Sequence, residues 1–393
     1  MFCLVDGNNF YVSCERVFNP SLRRRPVIVT SNNGGCIVSR SNEAKAIGLR
    51  MGEPVFKCRR LIELHRVRVL PANMALYGDM SDRMMKLLSQ WSSDYEVYSI
   101  DECFLSLSEQ EKDYHSLGKE IQATIQQQLG LPVGVGFGRS KTLAKCANAL
   151  SKRVGVMNIH DYDEDKVLKT IDISSIWGVG KAFSFRLRAK GIRTAYDVKY
   201  ASLFVLKSIC HRYGVLLKHE LEGIPVIALS TEKSGNKSIV RSRSFGRDIS
   251  NKDEIKREVA VNIEKATRKL RRQKQKVKSL QVFLLENRYK IKMYKSSIDI
   301  ELPVYSSATP YVLGFVLKAV DQIYKESKHY VKSGIILSDL KGEEFIPRQL
   351  LDQKDEEKQE KLDRLMKVCD EVQSKWGTRL WCGSSYCSQE SVC

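Results

Sequence analysis

No stretch of the sequence reaches the ~18 unbroken apolar residues that a membrane-spanning helix needs. The first apolar run is stopped by Asp6 after five residues, too short for the core of a secretory signal. Both absences lead to the expectation of a cytoplasmic protein with no membrane segment. Paired cysteines are missing too. The 11 Cys stand singly, with no CxxC and an odd total, which supports neither a zinc ribbon nor a disulfide framework. Scattered thiols of this kind suit a reducing compartment, where Cys serves as a small core residue. The 6 His form no HExxH or paired-ligand spacing. No internal repeat or low-complexity tract is found, which removes collagen-like and mucin-like readings.

What remains is a globular, basic chain. Its 393 residues are 42% apolar and 28% charged, enough for about two to four domains, each with its own core. Lys and Arg number 65 against 46 Asp and Glu, a net charge of +19. Residues 236–345 alone hold 24 Lys and Arg against 13 Asp and Glu, so more than half the excess sits in under a third of the chain. A polyphosphate backbone is the commonest partner for such a surface.

Hydrophobic patterning predicts a buried strand over 1–6 that ends in the Asp6 carboxylate, a break at Gly7-Asn8-Asn9, and a helix from Phe10 to Val17. Short strands follow at 26–30 and 36–39. Ser41 is placed to cap a helix carrying Glu43 and Lys45 as far as Gly48. A helix over 75–91 carries Met80, Met84, Leu87, Leu88 and Trp91 on one stripe. Next comes a hairpin with arms 95–100 and 103–108 and with Asp101 and Glu102 between them. A helix over 115–129, a strand over 131–138 and a helix over 140–153 complete a mixed region that ends near 165. From 171 to 229 the pattern is helical only. A polar run from Ser230 to Lys237 marks a boundary. Beyond it the order is β-α-β-β-α-β, with elements over 238–248, 252–276, 279–285, 297–304, 310–326 and 331–339. One amphipathic helix is expected near 356–375, and the last dozen residues have the make-up of a disordered end.

Three carboxylates carry the sharpest chemical signal: Asp6 at a strand end, and Asp101 with Glu102 at a hairpin tip. Neighbouring strand residues face opposite ways, so these two converge only where a turn re-aims them. Clustered acids repel, and a divalent cation relieves the repulsion. Two such ions ~4 Å apart would clamp the attacking and leaving oxygens of a phosphoryl transfer. The competing reading is an acidic hairpin tip facing water. The glycines of Gly134-Val135-Gly136-Phe137-Gly138 imitate a phosphate loop but fit neither Walker A nor GxGxxG. Close packing of a helix on that strand explains them more simply. The segment 265–278 has eight Lys or Arg in 14 residues and no acid. As a helix it keeps Val259, Ile263, Ala266 and Leu270 for its sheet and leaves its other faces basic.

Asp6-Gly7-Asn8-Asn9-Phe10-Tyr11-Val12-Ser13-Cys14-Glu15, together with Tyr98-Ser99-Ile100-Asp101-Glu102-Cys103-Phe104, resembles the motifs of the Y-family translesion DNA polymerases, and within them the UmuC branch, over about residues 1–345. The resemblance implies an α+β multidomain fold of the right-hand polymerase kind. An α/β palm would span 1–10 and 75–165, fingers 11–74, a helical thumb with a helix-hairpin-helix 166–230, a linker 231–237, a βαββαβ little finger 238–342 and a charged C-terminal tail 343–393. The implied activity is template-dependent, low-fidelity DNA synthesis past lesions in the SOS response. The primer 3′-hydroxyl would attack the α-phosphate of a dNTP with two Mg²⁺ ions. Asp6, Asp101 and Glu102 become the catalytic metal carboxylates, with the Gly7 carbonyl as a further ligand, and Asp101 and Glu102 hold the metal that activates the primer hydroxyl. Tyr11 matches the steric gate, a ring that clashes with a ribose 2′-hydroxyl. Phe10, Lys45 and Lys152 are the other substrate candidates, Phe10 reading as a core residue before a substrate contact and the two lysines falling where the family binds the triphosphate. Asn42 and Lys45 stand where the DinB-type pattern has Tyr and Arg, a departure that favours the UmuC branch.

The same resemblance supplies DNA-holding candidates. Gly178, Gly180 and Lys181 lie in a helix-hairpin-helix-like turn, whose backbone N–H groups can take a phosphate without reading sequence. Arg241, Arg243 and Arg247 on a strand, and Lys269, Arg271, Arg272 and Lys274 on the basic helix, belong to the little finger. The implied partners are primer-template DNA, dNTP, a UmuD′ dimer and a RecA filament. Gln349, Leu350 and Leu351 sit where UmuC-like chains carry a sliding-clamp peptide, though without the expected aromatic residue. The rival readings are a stand-alone DinB-type polymerase, a palm-like nucleotide cyclase, which has no need of a basic DNA-gripping domain, and a non-catalytic DNA-binding regulator, which leaves three acids at strand ends unexplained.

Overall fold

Residues 1–31, 34–108, 113–230, 237–286, 295–345 and 353–376 are described by a computed structural model. The chain divides into two units, 1–233 and 234–393. The first opens with β1 (Phe2–Gly7), α1 (Phe10–Phe18), β2 (Val27–Thr30), β3 (Ile37–Arg40), α2 (Asn42–Ala46), α3 (Val55–Leu64) and β4 (Arg68–Pro71). It continues with α4 (Met74–Leu88), β5 (Tyr95–Val97), β6 (Glu102–Ser106), α5 (Tyr114–Leu129), β7 (Val133–Gly138), α6 (Lys141–Val154) and β8 (Val156–Asn158). Four helices close it: α7 (Glu164–Thr170), α8 (Lys181–Ala189), α9 (Ala195–Tyr200) and α10 (Leu203–Leu221).

The main sheet runs β5-β6-β1-β7-β8, with β1 at its centre and antiparallel to both neighbours. Alternation along β1 decides what each face meets. Cys3 and Val5 enter a core shared with Tyr77, Met80 and Met84 of α4 and with Ile121 and Ile125 of α5. Leu4 turns the other way, onto Phe104 and Ala144 of α6. Glycines 134, 136 and 138 let α6 lie directly on β7. A Cβ on Gly136 would come within 2.2 Å of the Asn148 amide nitrogen, and one on Gly138 within 2.5 Å of that of Ala144. The glycine run is therefore a packing device. A smaller sheet, β3-β2-β4, buries Ile28, Ile37, Leu49, Cys58 and Val67. Helix α10 is tied to the start of α6 by Glu220, which is fully buried and accepts the Thr142 N–H at 3.0 Å and those of Val226 and Ile227.

The second unit contains β9 (Ile239–Ile249), α11 (Lys252–Arg272), β10 (Gln275–Glu286), β11 (Lys295–Ser306), α12 (Thr309–Ile323), β12 (Tyr330–Gly342) and α13 (Gln353–Trp376). The expected β-α-β-β-α-β order is present, folded as an antiparallel sheet of order β11-β10-β12-β9. Val259, Ile263, Ala266 and Leu270 of α11 are all fully buried, as their stripe predicts. The buried arc is wider than that stripe, because α12 also packs on α11: Thr267 Oγ1 lies 2.7 Å from Thr309 Oγ1. The fold is the α+β multidomain class expected. No described helix is long and apolar enough to cross a membrane.

Candidate active site

Asp6 and Glu102 are register partners across β1 and β6. Directly opposite residues of an antiparallel pair share one face of the sheet, here the face covered by α6. Asp101 precedes the strand and is re-aimed by its turn. Ser99 Oγ donates to Asp101 Oδ1 at 2.6 Å and accepts the Glu102 N–H at 3.1 Å. The Tyr98 and Ser99 N–H groups both donate to the Glu102 carbonyl, and the Gly7 N–H donates to that of Asp101 at 2.8 Å. The three acids singled out in the sequence are thus gathered at one end of two paired strands.

The turn after Asp6 is built as its residues demand. A Cβ at Gly7 would lie 2.7 Å from Phe10 Cδ2, and Asn9 takes a left-handed φ of 50°, which Asn tolerates better than most residues. That close approach favours the core reading of Phe10 over the substrate one. Phe10 is 3% exposed and belongs to the core, so its ring supports the turn from below and does not present itself to a substrate. Tyr11 remains partly exposed and stacks on Tyr77 with ring centroids 4.3 Å apart and planes 9° from parallel. Burial pushes the Tyr11 hydroxyl above its ordinary pKa, helped by the negative charge of Asp101 nearby.

Each acid of the paired strands faces an ammonium from α6. Lys152 Nζ is 3.0 Å from Asp6 Oδ2, and Lys145 Nζ is 2.7 Å from Glu102 Oε1. Burial pushes the Asp6 carboxyl up, the charge and hydrogen bond of Lys152 pull it back, and the charges of Glu102 and Asp101 push it further. Lys45 is exposed and its ammonium is held below its ordinary pKa, first by desolvation and then by the charges of Lys152 and Arg40, while Asp6 opposes the shift. Lys45, Lys152 and Arg40 therefore form a local excess of positive charge beside Asp6, which suits a polyanion.

Hard carboxylate oxygens are the donor type a magnesium ion takes, and here the charges of Glu102 and Asp101 reach Asp6. Among the described residues, no three His, Cys, Asp or Glu side chains are gathered closely enough to hold an ion as they stand. The lysine ammoniums supply the compensating charge. The residues fit a divalent cation in kind, while as they stand the Lys152 and Lys145 ammoniums occupy oxygens of Asp6 and Glu102.

The chain matches the model of the impB/mucB/samB family over residues 5–149 and that of the family's C-terminal domain over 236–351. It is 33% identical to the protein ImpB of Salmonella typhimurium over 395 residues, covering 97% of this chain and 92% of that one. Identity to the protein UmuC of Salmonella typhimurium strain LT2 is also 33%, over 96% of this chain and 91% of the relative. The chain belongs to the impB/mucB/samB family, the UmuC branch of the Y-family DNA polymerases. A solved Y-family DNA polymerase chimera superposes with a TM-score of 0.73 at 20% identity, over 87% of this chain and 99% of that one, which establishes the shared fold.

The DNA candidates of this family member fall into three groups. Gly178, Gly180 and Lys181 are exposed at the start of α8, but Gly178 also has a structural cause: at φ +77° its Cβ would sit 2.0 Å from Tyr213 Oη. Arg241 is exposed. Arg243 meets Glu258 at 3.2 Å and Arg247 meets Glu254 at 2.9 Å, both on α11. Exposed pairs of this kind are worth about 0–1 kcal/mol, so those arginines are only loosely engaged. Arg271 is a correction. Its side chain is 12% exposed and grips Asp370 of α13 through Nε and Nη2 while Nη1 donates to the Ser307 carbonyl, so it is spent on holding α13. Arg272 and Lys274 are exposed and Lys269 is partly so. Gln349, Leu350 and Leu351, and the terminal Cys382, Cys387 and Cys393, lie outside the described residues.

Sequence reasoning missed Lys141, Lys145, Arg40 and Tyr77. The lysines had a legible signal: 141, 145, 148 and 152 fall on one helical stripe, facing Glu96, Glu102 and Asp6. Lys141 is 2% exposed and pairs with Glu96 at 2.6 Å. Lys145 also lies 4.3 Å from the Tyr98 ring centroid, and Tyr98 Oη accepts the Trp177 indole N–H at 2.9 Å.

Proposed function

We propose that the chain is a template-dependent DNA polymerase of translesion synthesis that adds dNMP to a primer 3′-hydroxyl at the site built on Asp6, Asp101 and Glu102. The observation that supports this reading most is the Asp6–Glu102 register pair beside the Asp101 turn, in a chain of this family. The palm is assigned to 1–10 and 75–165, fingers to 11–74, thumb to 166–230, linker to 231–237, little finger to 238–342 and tail to 343–393.

Asp6, Asp101 and Glu102, with the Gly7 carbonyl, would hold two Mg²⁺ ions. Bound magnesium supplies positive charge at the attacking and leaving oxygens of phosphoryl transfer. Lys45 and Lys152, joined by Arg40, neutralise the triphosphate and orient it. Tyr11, fixed from behind by Tyr77, fills the space a ribose 2′-hydroxyl would need. The Gly178–Gly180 turn, the exposed cations Arg241, Arg272 and Lys274 and the partly exposed Lys269 hold DNA backbone, a sequence-tolerant and salt-dependent contact.

Similarity to UmuC along nearly the whole chain supports a UmuD′ dimer and a RecA filament as partners, an SOS role and a cytoplasmic location. A sliding clamp is proposed to meet 349–351. Primer extension across an abasic site, with and without UmuD′ and RecA, tests the reading. Weak extension alone and strong extension with both is the expected result. Efficient extension indifferent to both would move the chain to the stand-alone DinB-type reading, and no metal-dependent extension under any condition would remove the polymerase reading.

A further inference from the structure

Helix α6 lays a row of polar side chains along the acid-bearing face of the main sheet. Lys141 meets Glu96, Lys145 meets Glu102, Asn148 donates to the Leu4 and Gly134 carbonyls at 3.2 and 2.9 Å, and Lys152 meets Asp6. The members differ in how firmly they are held. Lys145 has a side chain 15% exposed, pinned under the Tyr98 ring. Lys152 has a side chain 53% exposed and, among the described residues, pairs with Asp6 alone, whereas the Asp6 side chain is only 13% exposed. A free-ended ammonium thus rests on a sunken carboxylate.

The surroundings pull that ammonium two ways. Asp6 attracts it from the sheet side. Lys45 feels Lys152, Arg40 and Asp6 together, so positive charge is in excess around Lys152. A nucleoside triphosphate brings several negative charges to that neighbourhood, against the single charge of Asp6. Lysine bonds to carboxylate and to phosphate oxygens are both charge-assisted, so the larger charge of the triphosphate and the exposed end of Lys152 favour the transfer.

We propose that Lys152 is a shared positioning residue: it rests on Asp6 while no nucleotide is bound and moves to the triphosphate when one arrives, so that Asp6 opens to a divalent cation only in company with nucleotide. The inference deepens the reading above and rests on its assignments of Asp6 to metal and Lys152 to phosphate. Its consequence is mutual reinforcement. Nucleotide removes a competitor of the metal, and linkage requires the metal to favour nucleotide by the same factor. A site built this way holds little metal before substrate is present.

The test uses the full chain and Mn²⁺ as the probe, with free Mn²⁺ read by its paramagnetic resonance signal in the absence of nucleotide, and dNTP affinity measured separately on primer-template. Lys152→Ala is expected to bind Mn²⁺ about fivefold or more tightly than wild type, since an ammonium paired with the carboxylate no longer competes with the ion, and to bind dNTP more weakly. Lys45→Ala removes a nearby charge without touching Asp6, so it sets the purely long-range effect, expected at under about twofold. Asp6→Asn should weaken Mn²⁺ binding. If Lys152→Ala leaves Mn²⁺ affinity unchanged, lowers it, or raises it no more than Lys45→Ala, the exchange is overturned while the site reading stands, provided Asp6→Asn weakens Mn²⁺. If Asp6→Asn has no effect on Mn²⁺, the metal reading itself fails and takes the exchange with it. Unchanged dNTP affinity in Lys152→Ala would remove the phosphate assignment and, equally, the transfer.

Discussion

The Tyr11 ring lies flat on Tyr77, and the Tyr77 hydroxyl donates to Glu15 Oε1 at 2.7 Å from a fully buried position. The proposed sugar gate is therefore the upper member of a stack whose lower member is locked into the core. An aromatic pair of this kind is worth about 0.5–1.5 kcal/mol beyond its burial. Tyr77→Leu should loosen the gate and reduce discrimination against ribonucleotides by about two- to tenfold, less than the reduction from Tyr11→Ala. Tyr77→Phe keeps the stack and should keep discrimination. Competitive incorporation of rNTP and dNTP measures this, and wild-type selectivity in Tyr77→Leu would deny the stack its role.

Gly136→Ala should damage the fold before it damages chemistry. The added methyl group would meet the Asn148 backbone nitrogen at 2.2 Å and the Ala144 carbonyl oxygen at 2.6 Å, both backbone atoms of α6 that cannot rotate away. Overpacking of this kind costs about 1–3 kcal/mol or more, so thermal unfolding should begin several degrees lower. An unshifted melting curve would mean α6 is not seated as closely as described.

Arg271 and its neighbours should separate stability from DNA binding. Arg271→Ala breaks the grip on Asp370 and should lower the thermal stability of the second unit. The double change Arg272→Ala with Lys274→Ala should instead weaken DNA binding and flatten its dependence on salt, by roughly one unit of log slope for each phosphate no longer neutralised. Fluorescence anisotropy at several salt concentrations resolves the two. If Arg271→Ala flattens the slope as strongly as the double change, the division is wrong.

Three thiols should be nearly inert at pH 8. Burial pushes Cys14, Cys103 and Cys146 up to about 12, so at pH 8 they are neutral, and the thiolate is the reactive form. Cys36 and Cys369 are only partly buried. Peptide mapping after brief alkylation of the native protein should find label on those two ahead of the buried three, and prompt labelling of Cys103 would contradict the packing around β6.

The fold was legible where periodicity was strong. β1, α4, α5, β7, α6 and the whole βαββαβ order follow from alternation and helical stripes in the sequence. Helix α3 was not, because only Cys58 of its ten residues is buried and its charges blur the stripe. The acids were legible as residues but not as a meeting, since strand register, Asp6 opposite Glu102, is a long-range fact. The lysine row of α6 shows the same limit from the other side. Its spacing was visible, but a helix face acquires meaning only when the sheet beneath it is known. Arg271 illustrates the reverse error, a cation in a basic run that a later helix had already claimed.

The most direct test is metal-dependent dNTP incorporation on primer-template by wild type and Asp101→Asn, with DNA affinity measured alongside. Incorporation that requires a divalent cation and falls by at least about a thousandfold in the mutant, at unchanged DNA affinity, is the predicted result, in keeping with removal of charge where the transition state needs it. Near wild-type incorporation by Asp101→Asn would contradict the carboxylate site on which the account stands.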